Sequence, residues 1–435
     1  MTNMATFLTS YTLISLFLSI VVRPFAIQKG FGATTDGGLS GVVLRVTNLE
    51  ARGPGSLREA LEAGRPRLVV FEVGGVIDLQ GRTLVVRNPH LTIAGQTAPD
   101  PGITLIRGGL VVETHDVIIQ HIAVRPGDNS ASKGWAPDAL GVRRGDSGPV
   151  HDVLFDHCSA TWAVDENLST SGPADVETPD ATAHDITLRH CLIAEGLSSS
   201  THPKGEHSKG TLVHDGVRNV AIIGCLYAHN RERNPRLKGG TTAVVTDNVM
   251  YNWGSAAVGV GARGNEKLLQ PAEAVLAGNV AIAGPDTRGR VFVKGHDPGA
   301  KMFLRDNVAV SAAGAPMPMA DERVALLTQP PSWSATIPDA RPWDNAARVL
   351  RSAGSRPARR DPIDARIVLS VIRGDGRIID SQEQVGGYPV RAAAMRAVAV
   401  PSGMDERRQW LERLSRDLAE DKTLDVSPLW KRLDR

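Results

Sequence analysis

The chain has 435 residues, 42% of them hydrophobic but only 4% aromatic, with 44 Gly, 27 Pro and a formal charge of +2. That near balance excludes the clustered basic excess of a generic nucleic-acid binder, and three Cys are too few for a disulfide framework. Abundant Gly together with many Val and Ile favours short strands separated by turns over a helical protein.

The chain begins with a mostly apolar run from Phe7 to Val22. It is short for a transmembrane helix and reads as a signal-peptide core over residues 1–24, although no Lys or Arg precedes it. An uncleaved N-terminal anchor is the alternative. No other window reaches membrane-spanning length, so the remainder is expected to be exported: secreted, periplasmic or on the cell surface. A Gly-rich lead-in, Lys29-Gly30-Phe31-Gly32-Ala33, precedes a strand at Val42–Val46. Ser56-Leu57-Arg58-Glu59 has the spacing of a capping box and predicts a short helix through about Ala63. A strand follows at Leu68–Val73.

An internal repeat then dominates residues 25–310. Eight strands of about five residues end at Gly95, His121, His157, His190, Gly224, Asn248, Asn279 and Asn307. These are turn-forming residues. Most units continue into a second short apolar segment, such as Val249-Met250-Tyr251 or Val280-Ala281-Ile282. The spacing varies from 24 to 36 residues, more than a constant-length solenoid allows. A parallel β-helix tolerates it, because only the strands must stack and one turn of each coil can be a long loop. The expected fold is therefore all-β, a parallel β-helix with short capping helices and a C-terminal extension.

Cys158, Cys191 and Cys225 each follow the turn residue and fall in one column. An interior stack of free thiols is expected rather than a disulfide, since flat stacking does not give the required torsion. Residues 311–361 are rich in Pro, Ala and Arg and read as an irregular wrap, the start of a C-terminal region over 311–435. A helix is expected after Ser402-Gly403-Met404-Asp405, with Trp410, Leu411, Leu414 and Leu418 as its packing stripe.

Three clusters carry candidate chemistry. Asp138, with Asp165 and Glu166 about one coil later, offers carboxylates of the kind that hard cations such as Ca²⁺ take; a solvated turn is the other reading. Arg231-Glu232-Arg233-Asn234-Pro235-Arg236-Leu237-Lys238 crowds basic groups around one Pro, and planar guanidinium groups suit carboxylates; a solvated basic turn would look the same. His202 and His207 lack helical metal-ligand spacing and read as part of a local polar turn, while Lys209, just before a strand, is placed like a groove residue. Stacked in register, the three clusters converge on one side, as a site for a polyanionic sugar acid would require.

At these residues the chain resembles the pectate lyases of the first polysaccharide-lyase family, in the branch related to pectate lyase C. The matching stretches are Thr92-Ile93-Ala94-Gly95-Gln96-Thr97-Ala98-Pro99, Phe155-Asp156-His157-Cys158-Ser159-Ala160-Thr161-Trp162 with Asp165-Glu166, and Arg233-Asn234-Pro235-Arg236. The likeness runs from about residue 30 to 310. A C-terminal piece from Asp364 to Pro389 resembles tails of bacterial relatives. The resemblance implies a right-handed parallel β-helix and an exported carbon–oxygen lyase that cleaves pectate, an α-1,4-galacturonan, by Ca²⁺-assisted β-elimination. It implies Arg233 as the base, with Lys209 as the groove Lys beside it. It implies Lys238 as a substrate-binding residue, and Arg236 of the same motif is expected to bind substrate too. It implies Asp138 and Asp165 as calcium ligands. The usual third ligand position holds Ser169, so Glu166 is the reserve ligand. The expected partner is an acidic polysaccharide, with no nucleic acid, no membrane after leader removal, and a monomeric chain. A non-catalytic carbohydrate-binding β-helix, or a lyase on another polyuronate, is the alternative. A β-helix hydrolase would need paired carboxylates flanking the bond, and no Asp-Asp pair appears.

Overall fold

A computed structural model of the chain describes residues 30–129, 134–145, 148–173, 182–214, 216–261, 270–296, 298–334 and 339–434. The expected leader at 1–24 lies outside the described residues. No helix among them is long and apolar enough to cross a membrane.

Each repeat closes one coil of a parallel β-helix. Among the described residues the first sheet has eleven strands, from Val42–Val46 to Val324–Leu326. The second has ten, from Val73–Asp78 onward, and the third eight, from Leu84–Val86 to Val293–Gly295. Among the described residues the strands pair in parallel, except that Ala394–Met395 pairs antiparallel with Val73 and Gly74 and a lone antiparallel bridge joins Val310 to Pro316. Register keeps like with like: Val117, Val153, Ile186 and Val220 stack through the first sheet. With Ile119, Phe155, Leu188 and Ile222 they form part of the interior column of the core. That is the period-2 pattern with one face in.

The first and second sheets meet at a turn held by one left-handed residue per coil. His121, His157, His190, Gly224, Asp247, Gly278 and Asp306 occupy it, with φ between 51° and 66°. Asn, Asp, His and Gly tolerate this region best. The next residue points inward. There Cys158, Cys191 and Cys225 stack as free, buried thiols, as expected. The column then continues through Asn248, Asn279 and Asn307. Asn248 Nδ2 donates to Asn279 Oδ1 (2.9 Å), and Asn279 Nδ2 donates to Asn307 Oδ1 (2.8 Å). Their second hydrogens go to the carbonyls of Ile222 and Val245. The predicted alignment placed these Asn residues with the turn residues of earlier coils; the pairing of Ala243 with Val220 corrects it by one position.

The short helix after Ser56 is α1, Leu57–Glu62, and Ser56 Oγ accepts from the Glu59 amide at 3.3 Å. Residues 311–361 are not wholly irregular: α2 spans Pro342–Ser352. It is followed by α3 (Pro362–Arg373), α4 (Met404–Arg416) and α5 (Ser427–Arg432). The outer face of the second sheet is apolar too, with Leu192, Leu226, Val249, Tyr251 and Ile282 buried against Val349 and Leu350 of α2, Ile367 and Val371 of α3, and Leu429 of α5. A sheet apolar on both faces must be covered on both. Helix α4 lays Leu411 on Leu39 and on Leu68 and Val70 of the first sheet, with Trp410 half-buried beside it; Leu418 is buried just past the helix end and Leu414 is only half-buried, so the expected stripe packs in part. Arg125, fully buried, ties the second sheet to α3 through Asp361 (2.7 Å) and Asp364 (2.8 Å).

Candidate active site

The loops that lead from the second sheet into the third vary in length, and they carry the predicted functional residues. Asp138 precedes the strand Leu140–Arg143; Asp165 and Glu166 precede Leu168–Ser171; Arg233 precedes Arg236–Leu237. Because the first two of those strands pair directly and Leu212–Val213 alone separates the second from Arg236–Leu237 in the same sheet, residues far apart in sequence line one cleft of about 500 Å³. It is walled by Asp138, Asp165, Glu166, Ser169, Arg233, Arg236 and Lys238, joined by Lys204, His207 and His214.

The acidic wall is tightly organised. Asp138 Oδ1 accepts from the Glu166 amide (3.0 Å) and Oδ2 from the Ser169 hydroxyl (2.7 Å). Donor oxygens of Asp138, Asp165 and Glu166 lie within 4.8 Å of one another. Burial, then the charge of Asp165, push the Asp138 carboxyl up to about 7, against the Ser169 hydrogen bond and the charges of Arg143 and Arg233. Burial raises Asp165 as well, but a hydrogen bond from His207 and the charges of His207, His202 and Arg233 outweigh it and hold it below the usual carboxylate range. Three carboxylates this close, one of them driven toward its neutral form, concentrate negative charge that a cation would neutralise. Their donors are all oxygens, and Ser169 adds a fourth oxygen beside them, so the set fits a hard divalent cation such as Ca²⁺.

Two histidines stand behind Asp165. The rings of His202 and His207 stack 3.7 Å apart. His207 Nε2 lies 2.6 Å from Asp165 Oδ1 and His202 Nε2 3.5 Å from Oδ2. His202 Nδ1 accepts from the Lys204 amide (3.1 Å), so the neutral ring carries its proton on Nε2, toward Asp165. The ring therefore donates to the carboxylate and is not free to ligate from that nitrogen. Sequence reasoning treated the pair as a polar turn. A signal was present in Pro203-Lys204-Gly205, where Gly205 adopts φ 81° and its amide returns to the His202 carbonyl, folding one ring over the other.

The basic wall differs from expectation in one respect. Arg233, in a left-handed conformation (φ 67°), reaches across to an ion pair with Glu166. Arg236 is 5% exposed and gives one Nη2 hydrogen to the Gly261 carbonyl (2.6 Å). Lys238 lines the cleft directly. Lys209 does not join the cleft lining: it is 5% exposed, and its Nζ pairs with Glu232. Its backbone bridges Glu166 on one coil and Glu232 on the next, so it sits one layer deeper than a groove residue.

No protein-family model matches the chain. The probable pectate lyase C of Aspergillus flavus is 32% identical over 384 residues, covering 85% of this chain and 82% of that protein. The probable pectate lyase C of Aspergillus fumigatus is 33% identical over 377 residues, covering 82% and 80%. Among solved structures, a pectate lyase bound to a hexasaccharide superposes with a TM-score of 0.52 at 13% identity, over 78% of this chain and 99% of that one, a likeness of fold. With a parallel β-helix, an acidic cleft facing Arg and Lys, and relatives above 30% identity over most of both lengths, the chain belongs to the pectate lyase C family of lyases.

Proposed function

We propose that the chain cleaves pectate, or a closely related polyuronate, by Ca²⁺-assisted β-elimination in the cleft between Asp138 and Lys238, and that it is an exported enzyme working on an extracellular acidic polysaccharide. The observation that carries this reading is the contact of the two walls: Arg233 spans from the basic motif to Glu166 in the acidic cluster, so a uronate between them meets both at once.

The C5 proton of a uronate is adjacent to a carboxylate, and its removal builds negative charge on that group. A calcium ion bound by Asp138, Asp165 and Glu166 would supply positive charge beside the substrate carboxylate and would compete with Arg233 for Glu166. In this reading Arg233 takes the C5 proton. A guanidinium holds its proton tightly, so the reaction is expected to favour alkaline pH, with Arg233 acting directly or by orienting hydroxide. Lys238 and the exposed edge of Arg236 face the same space and hold the developing charge. The electron pair left at C5 forms the C4–C5 double bond as the C4–O bond breaks, and the leaving oxygen takes a proton from water. Lys209 enters as a positioning residue paired with Glu232, the chain neighbour of Arg233, and His207 with His202 fixes the Asp165 carboxylate.

The test is to incubate purified protein with polygalacturonate and Ca²⁺, with and without chelator, and to follow the ultraviolet absorbance of the unsaturated product across a panel of polyuronates. Product that disappears with chelator supports the reading. Glycan binding without product on every substrate would make the chain a binding solenoid instead.

A further inference from the structure

Outside the cleft, a second row of imidazoles and carboxylates runs along the turn between the third and first sheets. The dipeptide His-Asp recurs on three successive coils at His115-Asp116, His151-Asp152 and His184-Asp185. In each, the His Nδ1 lies 2.7–2.8 Å from the carboxylate of the following Asp. The rings of His115, His151 and His184 stack at 4.8 and 5.1 Å. The Asp column is left-handed (φ 52–54°) and continues one coil earlier into His90 (φ 56°), because Leu91 pairs with Val117. There the column holds an imidazole where the next three coils hold a carboxylate and the fourth an amide, Asn219.

The consequence is convergence. Asp116 Oδ1 accepts from the Thr35 hydroxyl (2.6 Å), which leaves Oδ2 facing both rings, 2.8 Å from His115 Nδ1 and 3.8 Å from His90 Nδ1. Donors around a tetrahedral ion with bonds of about 2.1 Å sit roughly 3.4 Å apart, between these two values. Among the described residues neither Arg nor Lys pairs with Asp116. The other His-bearing clusters are obstructed. Asp156, beside His157 and His190, is held by Arg189 at 2.7 Å, and His202 presents a protonated nitrogen to Asp165. We propose that His90, His115 and Asp116 form a binding site for a nitrogen-preferring divalent metal such as Zn²⁺, separate from the oxygen-donor cleft. Two imidazoles and one carboxylate make a three-ligand face with water completing the sphere. Bound there, the ion fixes the carboxylate that holds Thr35, and with it the N-terminal arm that crosses the first sheet through Gly32 and Gly38.

The experiment is a titration of the full, metal-free chain with Zn²⁺ alone against a chromophoric chelator. One equivalent should bind, and millimolar Ca²⁺ should not displace it. His90→Ala and His115→Ala should each weaken it at least tenfold, and His184→Ala should leave it unchanged. Zinc should also slow proteolysis of the arm around residues 30–41, and His90→Ala should remove that protection. The proposal is overturned if no equivalent binds above the buffer control, if His184→Ala weakens binding as much as His90→Ala, or if Asp165→Asn rather than His90→Ala abolishes it. Zinc binding that follows His90 supports it whatever the polyuronate assays return.

Discussion

Two connections of every coil do opposite work. From His157 to Asp306 the turn from the first sheet to the second is a single left-handed residue followed by an inward thiol or amide, and the amides are linked from coil to coil. The loop from the second sheet to the third has no fixed length, and it carries the crowded carboxylates, the stacked imidazoles and the left-handed Arg233. Where geometry is over-determined, the side chains hold the column together. Where loop length is free, like charges are brought close and a carboxyl is displaced to about 7, the kind of tension that concentrates at functional sites.

The sharpest way to break this contrast is at the loop. Arg233→Ala should lower elimination activity by about 10²–10⁴-fold, the usual contribution of an acid–base group, while the thermal midpoint barely moves; equal losses in stability and activity would erase the distinction. On the turn side, Asn248→Ala removes one amide that donates to Ile222 and Asn279 and accepts from the Cys225 amide. It should cost about 2–4 kcal/mol in a denaturant melt, since buried partners are left unsatisfied, with activity per folded molecule unchanged.

A third measurement uses pH. The Asp138 carboxyl is pushed up to about 7 when folded and returns to the ordinary aspartate range near 4 when unfolded. The folded state therefore binds the extra proton, and without a cation stability should fall as pH rises from about 4 through about 7. Asp138→Asn should flatten that fall and abolish its reversal by Ca²⁺, as read by thermal midpoints across pH. The smallest effect is expected at Ser169, whose hydroxyl now donates to Asp138. Ser169→Asp should tighten Ca²⁺ by about tenfold, as an added charged ligand does, and should destabilise the metal-free chain; unchanged calorimetric affinity would place Ser169 outside the ion's reach.

The sequence made the repeating parts legible because a five-residue strand and a turn residue recur whatever lies between them. The thiol column followed directly. The register slip at Asn248 arose because Asp247-Asn248, Gly278-Asn279 and Asp306-Asn307 each place two turn-forming residues side by side. Only the backbone ladder tells which one turns and which one points inward. The cleft residues were found by type, yet Lys209 went deeper than its sequence position suggested, since the parallel bridges to Glu166 and Glu232 are long-range. The His202–His207 stack was hidden for a related reason: a Gly-centred turn, not a periodic spacing, brings the rings together. Helix α2 lay unseen in a Pro- and Arg-rich stretch because its buried face, Ala346, Val349 and Leu350, is defined by the sheet it covers.

One feature of the C-terminal region reaches beyond the cleft. A stack of coils is bound only to its neighbours and can fray from either end, one coil at a time. Here α2, α3 and α5 lie along the middle and late coils, with Arg432 on the Ala312 carbonyl. Between α3 and α5 the chain ties back to its own beginning, where Ala394–Met395 pairs with the strand at Val73, Arg396 reaches the Glu72 carbonyl through its amide, and Arg407 clamps the Leu39 and Gly41 carbonyls. The column is thereby strapped end to end, and neither end can peel without releasing the strap. A single protease cut between Val390 and Ser402 would leave every coil intact yet turn one all-or-none unfolding event into a progressive unzipping.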